Sequence, residues 1–147
     1  MFINDLPLHI TSKNVDTDIY ADDTTLTASA DVNSIPKLRQ DLTNSFKEVE
    51  DWATANKLPL SEAKSKSALV TGKRLLDKID QDDRQLEIPA TNGHVLEQVY
   101  CATVLGLDID VELSFTCHVD KVCKKLSKRI GILNKIKTCL PLKQRII

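Results

Sequence analysis

Apolar and polar positions alternate along Val15-Asp16-Thr17-Asp18-Ile19-Tyr20, and Thr24-Thr25-Leu26-Thr27-Ala28 is again β-prone. The two runs predict the strands of a hairpin. After Ala30 the period changes. Ile35, Leu38, Leu42, Phe46, Val49 and Trp52 recur at spacings of three, four, four, three and three, one apolar stripe of an amphipathic helix over residues 34–55. Ser34 is placed to cap its N-terminus, and Pro36 fits its first turn, where a missing N–H loses no intrahelical bond. Phe46 and Trp52 are expected as core anchors that hold the helix across one face of the hairpin sheet. Lys37, Gln40, Asp41, Lys47, Glu48 and Asp51 form the solvent face.

Around that unit the signals are shorter. Residues 2–7 are expected to close a helix that turns out at Pro7, with His9 to Asn14 as a loop. Asn56-Lys57-Leu58-Pro59 ends the long helix, because proline disfavours helical geometry at the residue before it. Ala68-Leu69-Val70-Thr71 is strand-like, and the charge-dense residues 77–85 predict an exposed loop or short helical turn. Leu86-Glu87-Ile88-Pro89 and Val95-Leu96-Glu97-Gln98-Val99 flank Asn92-Gly93, a turn signal, and predict a second hairpin. Residues 104–110 are expected as the next strand. In residues 118–136, Val119, Val122, Cys123, Leu126, Ile130 and Leu133 fall within about 100° of arc at 100° per residue, opposite Lys121, Lys124, Lys125, Lys128, Arg129 and Lys135. One face is expected to pack and the other to be cationic.

The 147 residues suit one domain of ordinary size. Net charge is only −1, yet residues 116–147 hold nine Lys and Arg against Asp120 alone, a net of +8, which leaves −9 on residues 1–115. Such asymmetry points to a polyanionic partner for the basic end. No apolar run approaches the roughly 18 residues of a membrane span, and the N-terminus lacks the pattern of a signal peptide. The expectation is an intracellular chain, nuclear or cytoplasmic, with no membrane partner. Cys101, Cys117, Cys123 and Cys139 are then expected as reduced thiols. Cys117-His118 with Cys123 lacks the short Cys-to-Cys spacing of a zinc site.

The candidate chemistry lies at the first hairpin. Asp22 and Asp23 are adjacent acids between β-prone runs. Asp is a common turn residue, but two neighbouring carboxylates repel, and a hard cation such as Mg²⁺ answers that repulsion. Asp82-Asp83 lacks such flanks and is expected to be solvated.

Tyr20-Ala21-Asp22-Asp23 inside a hairpin resembles the catalytic box of reverse transcriptases. The flanks Phe2-Ile3-Asn4-Asp5-Leu6-Pro7 and Leu105-Gly106-Leu107-Asp108-Ile109-Asp110, with His118 following, resemble those of non-LTR (LINE-type) retrotransposon enzymes. The resemblance implies an α+β chain: a partial polymerase palm over residues 1–115, with antiparallel hairpins packed on a helix, then the start of a thumb, a basic amphipathic helix, over residues 116–147. It also implies a fragment, without the strand that bears the first catalytic aspartate. The implied activity is RNA-directed DNA synthesis with two Mg²⁺ ions, held here by Asp22 and Asp23, on an RNA template, a DNA primer and deoxynucleotides. Tyr20 and Ala21 would line the floor near the incoming nucleotide, and Leu105 and Gly106 the region beside the primer grip. Lys64 matches the lysine of a Leu-Asn-x-x-Lys-Thr segment that assists the leaving pyrophosphate, although Ser61 and Ser65 depart from that pattern. Lys121, Lys124, Lys125, Lys128 and Arg129 would track the nucleic acid. The fragment is expected to be inactive alone. The rival is a non-catalytic nucleic-acid-binding or interaction fragment. A metal-dependent phosphohydrolase is a weaker alternative, because no clustered histidines complete such a site.

Overall fold

The computed structural model describes residues 5–61 and 63–137. Within these the chain is α+β. The elements in order are α1 (Leu6–His9), β1 (Val15–Tyr20), β2 (Asp23–Ala28), α2 (Ile35–Ala55), β3 (Lys66–Ser67), α3 (Lys73–Leu76), β4 (Glu97–Gln98), β5 (Cys101–Val104), β6 (Leu107–Asp110) and α4 (Thr116–Ile136). The strands form three two-stranded pairs: β1–β2 antiparallel, β3–β4 parallel and β5–β6 antiparallel.

The first hairpin and long helix form as the pattern predicts. β1 and β2 pair over six positions, from Val15 opposite Ala28 to Tyr20 opposite Asp23. Two-stranded sheets are marginal alone, and α2 supplies the missing support. Leu6, Val49, Trp52 and Ala53 form the buried cluster, with Ile10, Ile19, Leu26 and Leu58 packed against it. Phe46 is only half-buried. Ser45, fully buried in the same stripe, has no hydrogen-bond partner for its hydroxyl among the described residues.

The ends of the helices differ from expectation. Ser34 makes no side-chain cap bond; its backbone N–H closes the 3₁₀ turn Val32–Ser34 by donating to the Asp31 carbonyl at 2.8 Å. Pro7 stands in the first turn of α1, so it begins that helix and does not end one, the position where proline is tolerated. Residues 2–4 lie outside the described residues. At the other end of α2, Leu58 N–H donates to the Ala53 carbonyl at 2.8 Å and Lys57 N–H to the Thr54 carbonyl at 3.1 Å. With Lys57 at φ +58° and Leu58 against the core, this is a Schellman ending.

Two carboxylates expected on the solvent face of α2 fasten loops instead. Glu48 accepts from Thr11 N–H at 2.9 Å, and Asp41 from Asn14 Nδ2 at 3.0 Å. Glu50, which the pattern does not single out, accepts from Thr91 N–H at 3.0 Å. Arg39 donates to the Asp82 carbonyl at 3.2 Å and lies 3.8 Å from Asp83, so the second Asp-Asp pair is tied to α2.

The later strands are shorter than predicted. Ala68–Thr71 is not a strand; the pairing falls on Lys66–Ser67, and Thr71 N–H donates to the Val111 carbonyl at 2.7 Å. The second hairpin is reduced to a bridge between Pro89 and Val95 around the Asn92-Gly93 turn, because Pro89 has no N–H for a ladder. Its alternation survives, with Leu86, Ile88 and Ala90 buried. Residues 104–110 are not one strand. Leu105 at φ +49° and Gly106 at φ +84° form a two-residue turn between β5 and β6, both positive as a type I′ hairpin requires. A Cβ on Gly106 would meet nothing within 4 Å, so the demand there is backbone conformation and not close approach.

Lys57 holds a left-handed conformation that disfavours any residue with a Cβ. Lys57→Gly is expected to raise stability by about 0.5–1 kcal/mol, the left-handed penalty less the entropy that glycine loses, read from the urea midpoint at constant slope.

Candidate functional site

The β1–β2 turn is Ala21-Asp22, and Asp23 already pairs with Tyr20. Ala21 sits at φ +55°, the sign that primed hairpin turns impose on their first residue. Register places Asp16, Asp18, Tyr20, Asp23, Thr25 and Thr27 on one face and Val15, Thr17, Ile19, Thr24, Leu26 and Ala28 on the other. The second face meets α2. Asp22 and Asp23 are exposed, and neither carboxylate makes a hydrogen bond or ion pair among the described residues. Their oxygens are thus unclaimed, and two adjacent unclaimed carboxylates suit a hard cation. Among the described residues no three His, Cys, Asp or Glu side chains cluster as a complete metal site.

Below this tip is a cavity of about 810 Å³. Tyr20 and Asp23 line it together with Asp18, Leu105 and Lys66, and much of its wall is apolar, with Leu38, Leu42, Val70 and Ile109. The structure therefore gathers Tyr20, Asp23 and Leu105 around one space. Asp22, Ala21, Lys64 and Gly106 are not in its wall. Lys64 is exposed in a turn whose N–H groups return to the Ser61 carbonyl. Lys66, two residues on, is the lysine at the cavity, ion-paired to Glu97 across β3–β4. Sequence reasoning passed over Lys66 and Asp18; the period-two register from Asp23 is the signal that finds Asp18.

The base of α4 is built on acids that β6 turns inward. Ordinary alternation would expose Asp108 and Asp110 and bury Leu107, but here both acids are buried and Leu107 is exposed. Asp108 accepts from Lys121 Nζ at 2.7 Å and from Thr103 Oγ1 at 2.5 Å, while its N–H donates to His118 Nδ1 at 3.3 Å. The bonds from Lys121 first, and then Thr103, hold the Asp108 carboxyl below the usual range against the opposing effect of burial. Asp110 accepts from Ser114 N–H at 2.9 Å, Ser114 Oγ at 3.1 Å and Glu112 N–H at 3.1 Å, and its carboxyl is likewise lowered, chiefly by the Ser114 amide. Ser114 Oγ in turn accepts from Thr116 N–H at 3.2 Å. This chain of bonds sets the start of α4, whose N-cap residue Phe115, at φ +57°, provides no side-chain cap.

That attachment overturns one expectation. The apolar stripe of α4 does not pack: no residue of the helix is buried. The helix meets β6 through His118 and Lys121, and the stripe faces outward. The basic arc is as expected, with Lys121, Lys124, Lys125 and Lys128 around a recess of about 430 Å³ that Cys117 and Asp120 also line. Cys101, Cys117 and Cys123 are free thiols, and burial, followed by the neighbouring Cys117 thiol, pushes the Cys101 thiol up. Cys139 lies outside the described residues, as do Lys143 and Arg145.

Because the Asp108 and Asp110 carboxyls are lowered in the folded chain, they stabilise it above the unfolded carboxyl pKa of about 4, and that contribution is lost as pH falls through their folded values. Hydrogen exchange of the first turns of α4 is expected to accelerate between about pH 5 and pH 2, and Asp108→Asn is expected to show the fast exchange already at neutral pH. Equal protection across that range would remove the two acids as the anchor.

No helix among the described residues is long and apolar enough to cross a membrane. No family model, curated protein or solved structure matches the chain.

Proposed function

We propose that this chain is the palm hairpin and thumb base of a non-LTR reverse transcriptase, contributing carboxylates for nucleotidyl transfer and a basic helix for nucleic acid. The observation that carries the reading is the tight turn bearing Tyr20-Ala21-Asp22-Asp23, which leaves two adjacent carboxylates unclaimed at the tip of a hairpin braced by α2. Asp22 and Asp23 would hold Mg²⁺, which when bound polarises a primer hydroxyl and neutralises charge on the leaving pyrophosphate. Tyr20 and Leu105, both on the cavity wall, would bound the space of nucleotide and primer end, with Ala21 and Gly106 in the turns beside them. Lys66, at the cavity, competes with Lys64 for the role of cation near the phosphates.

The second reading, nucleic-acid binding without catalysis, is favoured by the basic recess on α4. Lys121, Lys124, Lys125, Lys128 and Arg129 serve both readings. A helix face of one sign with almost no acids repels itself unless an anion approaches.

The carboxylate hairpin is tested with Mn²⁺ as a paramagnetic stand-in for Mg²⁺. Amide signals of residues 20–24 are expected to broaden at millimolar Mn²⁺ and to recover in the Asp22→Asn, Asp23→Asn chain. The isolated chain is expected not to extend a DNA primer on an RNA template, since two carboxylates do not complete the site. Extension that Asp22→Asn abolishes would show that this chain supplies a full catalytic set.

Duplex affinity is expected to fall with salt by a log–log slope of roughly −0.9 for each phosphate neutralised on B-DNA. Lys124→Gln, Lys125→Gln and Lys128→Gln together are expected to flatten that slope. An unchanged slope would place the contact surface elsewhere.

A further inference from the structure

We propose that α4 pairs with α4 of a second copy of this chain, in a parallel two-helix coiled coil through Val119, Cys123, Leu126, Ile130 and Leu133. These five residues recur at spacings of four, three, four and three. That is the alternating a and d run of a heptad seam, with Cys123 and Ile130 at a and Val119, Leu126 and Leu133 at d. A β-branched residue at a with leucine at d favours two parallel strands. The seam is open in the single chain: Leu126 is 50 %, Ile130 55 % and Leu133 58 % exposed.

The single chain holds α4 from the other side. Lys121 and His118 reach Asp108 on β6, and at 100° per residue Lys121 projects about 140–160° from Leu126 and Cys123. The contact that fixes the helix to its own body therefore turns the seam away from that body. A partner can approach without disturbing it.

Charge selects what that partner is. In this heptad phase Lys124 stands at b, Lys125 at c, and Lys121, Lys128 and Lys135 at f, the positions farthest from a helix-pair contact. The flanking e positions are Asp120, Ser127 and Asn134, and the g positions are Val122, Arg129 and Ile136. Between Val119 and Leu133 only Arg129 brings a cation to the seam, and in a parallel pair it faces Asn134 of the other copy; Lys137, the next a position, falls at the C-cap of α4. Two strongly basic helices can thus meet with their like charges directed apart. A flat anionic surface fits less well, because lysines diametrically opposite the apolar stripe cannot touch headgroups while the stripe is inserted. Pairing also leaves the cationic arc open, so the inference does not rest on the nucleic-acid reading.

From Val119 to Leu133 the seam is about 21 Å long at 1.5 Å per residue. Such a contact belongs to the small end of specific interfaces, below about 1,200 Å². Association is accordingly concentration-dependent.

The test is sedimentation equilibrium of the full chain over a hundredfold dilution series, with a cross-link as the second arm. The mass is expected to rise from monomer to dimer, and Leu126→Glu with Ile130→Glu is expected to weaken association at least tenfold with helix content unchanged by circular dichroism. In a chain carrying Cys101→Ser, Cys117→Ser and Cys139→Ser, oxidation is expected to give a disulfide-linked dimer through Cys123, adjacent to its own copy only in the parallel register. Three results would overturn the proposal: a monomer throughout, a dimer that survives both glutamates, or a dimer in which Cys123 does not cross-link. The last would assign the stripe to an antiparallel pair or to the apolar cavity of another copy.

Discussion

Burial of Val49, Trp52 and Ala53 of α2 against Leu6 and the Ile19–Leu26 side of the first hairpin is the interaction on which the rest depends. A two-stranded ribbon twists freely in water, and a tip on such a ribbon has no fixed position. Packing one face of β1–β2 on a 21-residue helix gives the ribbon a floor. The opposite face can then carry Asp16, Asp18 and Asp23 toward solvent and the cavity. The polar edge of α2 extends the same support, since Asp41, Glu48 and Glu50 receive bonds from the loops on either side. Acids that look like solvation in the sequence are fasteners in the fold.

The attachment of α4 is organised by hydrogen bonds, not by apolar burial. Asp108 and Asp110 are nearly inaccessible, and an uncompensated buried carboxylate would be costly. Each is compensated: Asp108 by Lys121 and Thr103, Asp110 by the turn amides and Ser114. The consequence is directional. A helix anchored by polar contacts at its first two turns presents whichever face lies opposite the anchor, and on α4 that face is apolar.

How much of this was legible in the sequence depends on the range of the interaction. The hairpin, the extent of α2 and the extent of α4 follow from periods of two and 3.6, because local spacing alone decides which side chains share a face. The Schellman ending is legible only as a stop, since Lys57 carries no glycine signal for its left-handed backbone. The Leu105-Gly106 turn was missed for the same reason: leucine in a position that favours asparagine or glycine hides a hairpin inside an apolar run. Ser45 occupies the centre of the α2 stripe while being polar, so the pattern passes over it and selects the half-buried Phe46. The inversion at Asp108 could not be read from spacing, because the partner that makes it tolerable, Lys121, lies on another element. The unclaimed state of Asp22 and Asp23 was readable from their turn, whereas the cavity that Asp23 shares with Leu105 required three dimensions.

The uneven charge of the chain acquires a physical meaning from these contacts. A body of −9 and an end of +8 would be expected to neutralise each other by collapse. Yet the ion pair that fixes the basic helix to the body lies near its start, between Lys121 and Asp108. A 21-residue helix is about 32 Å long, and charges beyond a Debye length of about 8–10 Å from a tether interact weakly with it across water. Because α4 is one continuous helix attached to the body through His118 and Lys121, Lys128 and Arg129 stand farther along the rod than the acids at its base. The rod thus separates charges that a flexible tail would let collapse, which keeps the cationic arc available for an external anion and leaves the opposite stripe free for a second helix.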